Sequence, residues 1–327
     1  MLAGGSGFLG QALAKVLLAR GVDVVVLTRR PKAQRNDGAR QVSWAPATFP
    51  ASSNPISYPL PILEARAGAK ELVAAEAWAA ALEGAAALVN FAGCSVNCVH
   101  HAENQRAILR TRVDSVRALG AAVRACRQPP AVWVQCSATG YYGDVRDRVC
   151  SETSAVGRGF MAEVCRAWEA AFAEQELTAS RKVMLRIGVV LGRRGGAYPA
   201  LRRLTRFFLG GPAGSGDQGV SWIHVDDLTG MIAEAIANAE WRGVYNVCAP
   251  EPVTNAEFMR ALREVQRRPW APSAPALAVR FVARWLLRSE GRLILEGTRV
   301  VPQRALAAGY RFKYEKLAAA LAALAER

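Results

Sequence analysis

Gly4-Gly5-Ser6-Gly7-Phe8-Leu9-Gly10 stands at the head of the chain, and its reading decides the fold. The run leads into an amphipathic stretch, Ala12 to Ala19, and then into Val22-Asp23-Val24-Val25-Val26-Leu27, a β-branched segment of buried-strand character. Glycines at 4, 7 and 10 fit the dinucleotide fingerprint: one makes the tight turn, one lets a pyrophosphate approach the backbone, and one lets helix and strand pack closely. Gly4, Gly7, Phe8, Leu9 and Gly10 are therefore candidate cofactor-binding residues. Where an NAD-specific site places Asp or Glu, the second strand ends in Thr28-Arg29-Arg30. A guanidinium pairs with a ribose 2'-phosphate through charge-assisted bonds of roughly 1.5 to 3 kcal/mol, so NADP (NADPH) is favoured over NAD, with Thr28, Arg29 and Arg30 in the site.

Only Met1-Leu2-Ala3 precede the glycines, which leaves either a short first strand or upstream residues such as an organelle-targeting segment. An organelle matrix or stroma, mitochondrial or plastid, is the expectation; the cytoplasm is the alternative.

Residues 31–78 scatter Pro31, Pro46, Pro50, Pro55, Pro59 and Pro61 among Ser and Asn and read as a surface insertion. Periodicity then predicts a helix near Lys70 to Leu82, a strand from Ala86 to Gly93, a helix from Glu103 to Cys126 and a strand from Ala131 to Cys136. A helix near Arg158 to Glu174, a strand from Lys182 to Leu191, a Gly-rich loop and a helix near Asp226 to Ala239 follow. This alternation implies an α/β fold, a Rossmann-type doubly wound parallel sheet over residues 1–250. From about Pro250 the pattern becomes mainly helical, giving a small C-terminal part, 251–327. Residues 196–222 are expected to fold with that part over the nicotinamide end of the cofactor, leaving a ligand cleft between the two.

With 327 residues, 51% of them apolar, the chain is neither disordered, fibrous nor disulfide-stapled, and it contains no run of about 20 strongly apolar residues able to span a bilayer. A net charge of +15 suits anionic partners: phosphates, an acidic protein or a membrane surface. The arginines are spread along the chain without a basic tail, which argues against nucleic acid. Seven cysteines without C-x-x-C read as reduced thiols. Cys94, Cys98, His100 and His101 lie close together but lack the distant second arm of a zinc site, so they read as a polar loop and no metal is expected. Arg280, Arg284 and Arg288 share one helix face opposite Phe281, Trp285 and Leu286. The expectation is that the aromatic face packs on the main domain, the alternative being a membrane or an acidic partner.

Several segments resemble the extended short-chain dehydrogenase/reductase superfamily, and more narrowly its atypical NAD(P)-dependent epimerase-like family with a C-terminal domain of unknown function, also called cell-division-inhibitor-like. They are Gly4 to Gly10, Asn90-Phe91-Ala92-Gly93, Ser137-Ala138-Thr139-Gly140-Tyr141-Tyr142-Gly143-Asp144, Cys165-Arg166-Ala167-Trp168-Glu169, Arg186-Ile187-Gly188, Leu209-Gly210-Gly211-Pro212 and Trp222-Ile223-His224-Val225-Asp226-Asp227. The resemblance implies cofactor contacts from Asn90, Ala92, Gly93, Ser137 and Arg186. Ordinary members trade a proton through a tyrosine whose pKa is lowered by a lysine four residues later. Here those places hold Phe160 and Val164, which cannot do so. Tyr141, Tyr142, Ser137 and Thr139, just past a strand end, and His224 are the candidate replacements. The loop from Gly210 to Gln218, preceded by Arg202, Arg203 and Arg206, suits a small anionic or nucleotide-like substrate, with a plain surface loop as the alternative. Two functions follow: an NADP-dependent oxidoreductase or epimerase of weak activity, or a non-catalytic NADPH-binding accessory subunit of a larger organellar complex.

Overall fold

A computed structural model describes residues 1–31, 37–44, 77–286 and 290–326. The first half runs β1 (Leu2–Ala3), α1 (Phe8–Ala19), β2 (Val25–Thr28), β3 (Arg40–Ser43), α2 (Ala77–Ala80), β4 (Ala87–Asn90), α3 (Ala102–Ala125) and β5 (Val132–Ala138). A 3-10 turn (Thr139–Tyr142), β6 (Val145–Cys150), α4 (Phe160–Ala173), β7 (Arg181–Ile187), β8 (Val189–Gly192), β9 (Gly195–Gly196) and α5 (Tyr198–Arg206) follow. Next come β10 (Gly219–Val220), β11 (Trp222–His224), α6 (Val225–Ala237), β12 (Gly243–Val247), β13 (Val253–Thr254) and α7 (Asn255–Val265). The C-terminal part holds α8 (Ala276–Phe281), a π-helical continuation (Val282–Leu286), α9 (Arg292–Leu295), β14 (Thr298–Val300), α10 (Gln303–Ala307) and α11 (Leu317–Ala325).

Seven strands form one parallel sheet in the order β12-β7-β5-β4-β1-β2-β3. Strands buried on both faces need apolar residues at every position. Accordingly β5 sends Trp133 into the core under α3 and α4, while its neighbours Val132 and Val134 enter the core under α1 and α6. The strand order reverses between β1 and β4, the point at which doubly wound sheets bind ligands.

Three elements differ from the sequence reading. The segment Lys182 to Leu191 is two strands, because at Gly188 the Ser221 carbonyl fills the place of a side chain and turns the chain out of the main sheet; β8 then pairs with β11. Within the 31–78 excursion, Arg40–Ser43 is the sheet's outer strand, half exposed and so lacking the apolar run that betrays a buried one. The rest of that excursion, residues 32–36 and 45–76, lies outside the described residues, as does most of the helix expected near Lys70. The helix bearing Arg280 and Arg284 faces the opposite way from expectation: Val279 and Ala283 are buried, whereas Phe281 and Trp285 are exposed. Arg288 lies outside the described residues.

The C-terminal part is stitched to the first 250 residues. β14 pairs with β6, the Ser221 hydroxyl bonds Thr298 O and accepts from Val300 N, and the Asp227 carboxylate receives the amides of Lys313 and Tyr314.

Candidate functional site

Gly4 leaves β1 with φ +71°, and a side chain there would meet the Ala92 amide at 2.9 Å; the glycine turn is therefore pressed against the loop that follows β4. At Gly10 a side chain would strike the Gly5 backbone, which is how α1 sits so close to β1. Gly7 caps α1 with neither a side-chain cap nor an acid in the first turn. The first amides of a helix have no partner within it and carry partial positive charge, so this mouth suits a diphosphate. The cradle fits a dinucleotide: bare backbone, an uncapped helix end and the switch point coincide. The side chains of Phe8 and Leu9 serve packing, Phe8 against the backbone of Gly192 and Gly195 and Leu9 against the core. Thr28 is buried and donates to Ser6 Oγ at 3.2 Å, fixing the turn, while Arg29 and Arg30 are exposed at the end of β2.

Beside the cradle, Asn90 is fully buried. Its Oδ1 accepts the Ala92 amide and its Nδ2 donates to Gln135 at 2.9 Å and Ser115 at 3.3 Å. Its side chain shapes the loop from inside and does not face a ligand. Ala92 is buried and Gly93 exposed.

Arg186 also departs from expectation. It is buried and paired with Glu169 (Nη2 to Oε2 2.8 Å, Nε to Oε1 3.0 Å), donates to the Tyr142 hydroxyl at 3.0 Å, and lies 3.4 Å above the Tyr141 ring. Its donors are spent on the protein's own groups. Ser137 donates to Glu169 at 2.8 Å. Tyr142 is wholly buried and donates to Asn246 at 2.7 Å, and burial pushes its pKa up to about 12. Neither hydroxyl can reach a substrate, so Tyr142 and Ser137 are corrected from proton carriers to parts of a rigid platform. Tyr141 is half-buried, its ring held between Arg186 and Tyr142. Thr139 is half-buried, and its hydroxyl has no partner among the described residues.

His224 is a structural residue. Its Nδ1 accepts the Asp226 amide at 3.1 Å as the cap of α6, and its ring packs on Tyr314. Desolvation lowers its pKa despite Asp226 nearby. In the cysteine and histidine loop, His100 Nε2 lies 3.0 Å from Val96 O and His101 Nδ1 caps α3; among the described residues no three such side chains converge.

Two further side chains lie beside Phe160 and the helix that follows it: His100, which the sequence placed in a polar loop, and Arg112, which it did not single out. His100 meets the Phe160 ring edge-on, centroids 5.2 Å apart. Arg112, from α3, lies under Gly93, bonds Cys94 and Ile108 O, and stacks 5.1 Å from the Trp168 ring. Desolvation lowers its pKa, and among the described residues no carboxylate lies within ion-pair reach. A buried cation without a counter-charge costs energy unless something else compensates it. The sequence signal was an arginine on the helix stripe shared with Ile108, Leu109 and Val116. Nearby Cys165 is buried, its pKa pushed to about 11, and so is an unreactive thiol.

The Gly210–Gln218 loop is scaffold as much as surface: Ala213 N bonds Asn255, and Gln218 donates to Ala213 O and Ile294 O. A cavity of about 170 Å³ separates it from Arg146, Arg280 and Leu295. Another, of about 450 Å³, opens between α4 and β12 beside Tyr141, too small for a dinucleotide and away from the glycine turn.

Comparison with known proteins matches residues 1–248 to the NAD dependent epimerase/dehydratase family and residues 274–324 to a domain of unknown function. A chloroplastic Arabidopsis thaliana homologue of the epimerase family protein SDR39U1 is 35% identical, covering 98% of this chain and 85% of its own, and the Bos taurus protein is 34% identical over 98% and 97%. The Bacillus subtilis epimerase family protein YfhF is 30% identical over 99% and 96%. The crystal structure of human SDR39U1 isoform 2 with NADPH superposes with a TM-score of 0.81 at 31% identity, covering 99% of this chain and 98% of that one. Matched along three quarters of its length, and built on the sheet and glycine turn described above, the chain belongs to the NAD dependent epimerase/dehydratase family.

Proposed function

We propose that this chain binds NADPH in the Gly4–Gly10 crevice and that its residues are arranged for holding the dinucleotide, with slow oxidoreductase or epimerase turnover. The uncapped mouth of α1 carries the reading, and the NADPH-bound human relative supports it. The amides of α1 would take the diphosphate, Arg29 and Arg30 the 2'-phosphate, and Gly93 would let the ribose approach the backbone. We assign to Arg112 the place of the missing lysine, gripping the nicotinamide-side ribose. When bound, the nicotinamide supplies or accepts hydride. A proton must then come from elsewhere: Phe160 has none to give, Tyr142 and Ser137 are sealed in, and Tyr141, Thr139 and His100 remain as donors.

The closed state of the usual hydroxyls favours a second reading, an accessory subunit whose bound NADPH serves to stabilise it in a larger, organellar assembly. Absorbance at 340 nm tells them apart. With stoichiometric NADPH and a panel of carbonyl compounds and nucleotide sugars, the main reading predicts slow oxidation abolished by one of Tyr141→Phe, Thr139→Val and His100→Phe. Tight binding with no oxidation selects the second reading, and rapid turnover contradicts both.

A further inference from the structure

Amphipathic helices bury their apolar stripe as a rule, and α8 with its π-helical continuation does the reverse. Leu277, Phe281 and Trp285 lie four residues apart and are 78%, 64% and 70% exposed, the last two with ring centroids 6.3 Å apart. Val279 and Ala283 are the small contacts that hold the helix to the body. Arg280 and Arg284 are exposed between the aromatic residues.

The neighbouring loop repeats the pattern. Phe207 and Leu209 are exposed beside Arg203 and Arg206, and Phe208 adopts φ +61°, a left-handed backbone that bulky residues rarely accept. The Arg268 guanidinium lies 4.9 Å from the Phe208 ring, two residues before exposed Trp270. The two segments run side by side, with Ala274 N bonded to Pro212 O and Gly214 N to Ala274 O, and α8 continues directly from that pairing. No Asp or Glu occurs between Glu176 and Asp217 or between Glu264 and Glu290.

We infer that this face, Phe207 to Leu209 with Trp270 and the outer side of α8, docks on an anionic lipid surface. Exposed Trp, Phe and Leu rimmed by arginine is the composition that enters a headgroup layer, the rings reaching the acyl boundary while guanidinium groups stay with phosphates. A second copy of the chain is disfavoured by the charge of +15. An acidic protein would satisfy the arginines but leave no role for rings that point outward.

Sedimentation of the full chain with phosphatidylcholine vesicles, and with vesicles containing phosphatidylglycerol, tests this. The chain should pellet with the second kind far more than the first and release at high salt. Arg280→Gln and Arg284→Gln should each weaken partitioning about fivefold, and Phe281→Ser with Trp285→Ser should abolish it while the blue-shifted emission of the buried tryptophans, Trp133, Trp222 and Trp241 among them, still reports a folded protein. Absence of pelleting with either vesicle overturns the proposal. So does binding to polyglutamate with equal strength in the aromatic variants, or a dimer in solution that the aromatic substitutions convert to monomer. None of these outcomes depends on nucleotide binding.

Discussion

Among the described residues Arg112 gathers no carboxylate, yet it is enclosed by Gly93, Cys94, Cys165 and Trp168 at the ligand edge of the sheet. If it grips the nicotinamide-side ribose, Arg112→Met should weaken NADPH about tenfold, the scale of one charge-assisted bond. Affinity for 2',5'-ADP, which carries only the adenosine end, should not change; an equal loss for both ligands in a titration would mean the arginine merely supports the loop. His224 yields a pH prediction. Burial lowers its folded pKa below the 6.5 of the unfolded chain, so the unfolded state binds more protons once pH falls under 6.5 and stability declines from there towards the folded pKa. Urea melts between pH 8 and pH 5 should show that decline, and His224→Asn, which keeps a helix-capping side chain, should flatten it. At this scale the glycine turn was legible because its backbone demands follow from local spacing, and so was the position of Arg29 and Arg30 at the end of β2. The fates of Ser137, Tyr142, Arg186 and His224 were not, since a hydroxyl or ring gives no sign in sequence of whether Glu169, Asn246 or Tyr314 will close over it.

Between β5, β7 and α4 the elements are locked by one buried ion pair. Glu169→Gln leaves Arg186 buried without its counter-charge, a change that costs about 3 kcal/mol or more in such settings. Chemical denaturation should show that loss, with the platform under Tyr141 and Tyr142 loosened. Tyr142→Phe, by contrast, removes a hydroxyl that bonds Asn246 and Arg186, and should cost about 1 to 3 kcal/mol while leaving NADPH affinity intact. A loss of affinity would place Tyr142 in the binding site. Long periodic helices such as α3 were readable almost to the residue. The break at Gly188 and the strand Arg40–Ser43 were not, the first because it depends on a carbonyl from Ser221 and the second because a half-exposed edge needs few apolar residues.

Across the whole molecule, the alternation of helices and strands sufficed for the doubly wound sheet, since a parallel sheet covered on both faces has few other solutions. How the C-terminal part attaches was hidden, because β14 joins β6 across some 150 residues of chain and the pairing is set by tertiary contacts such as Ser221 to Thr298. The outward aromatic stripe of α8 was misread for the same reason: periodicity gives a face, not its direction. Ligand binding should register on the fold as a unit, with NADPH at a hundredfold excess over its Kd adding about 2.7 kcal/mol to unfolding stability.

The most direct measurement is calorimetric titration of the chain, and of Arg29→Ala/Arg30→Ala, with NADPH and with NADH. NADPH should bind more tightly than NADH, and the double variant should lose that preference by roughly tenfold or more, as expected for charge-assisted contacts to one phosphate. Equal heats for the two nucleotides, or none with either, would contradict the account.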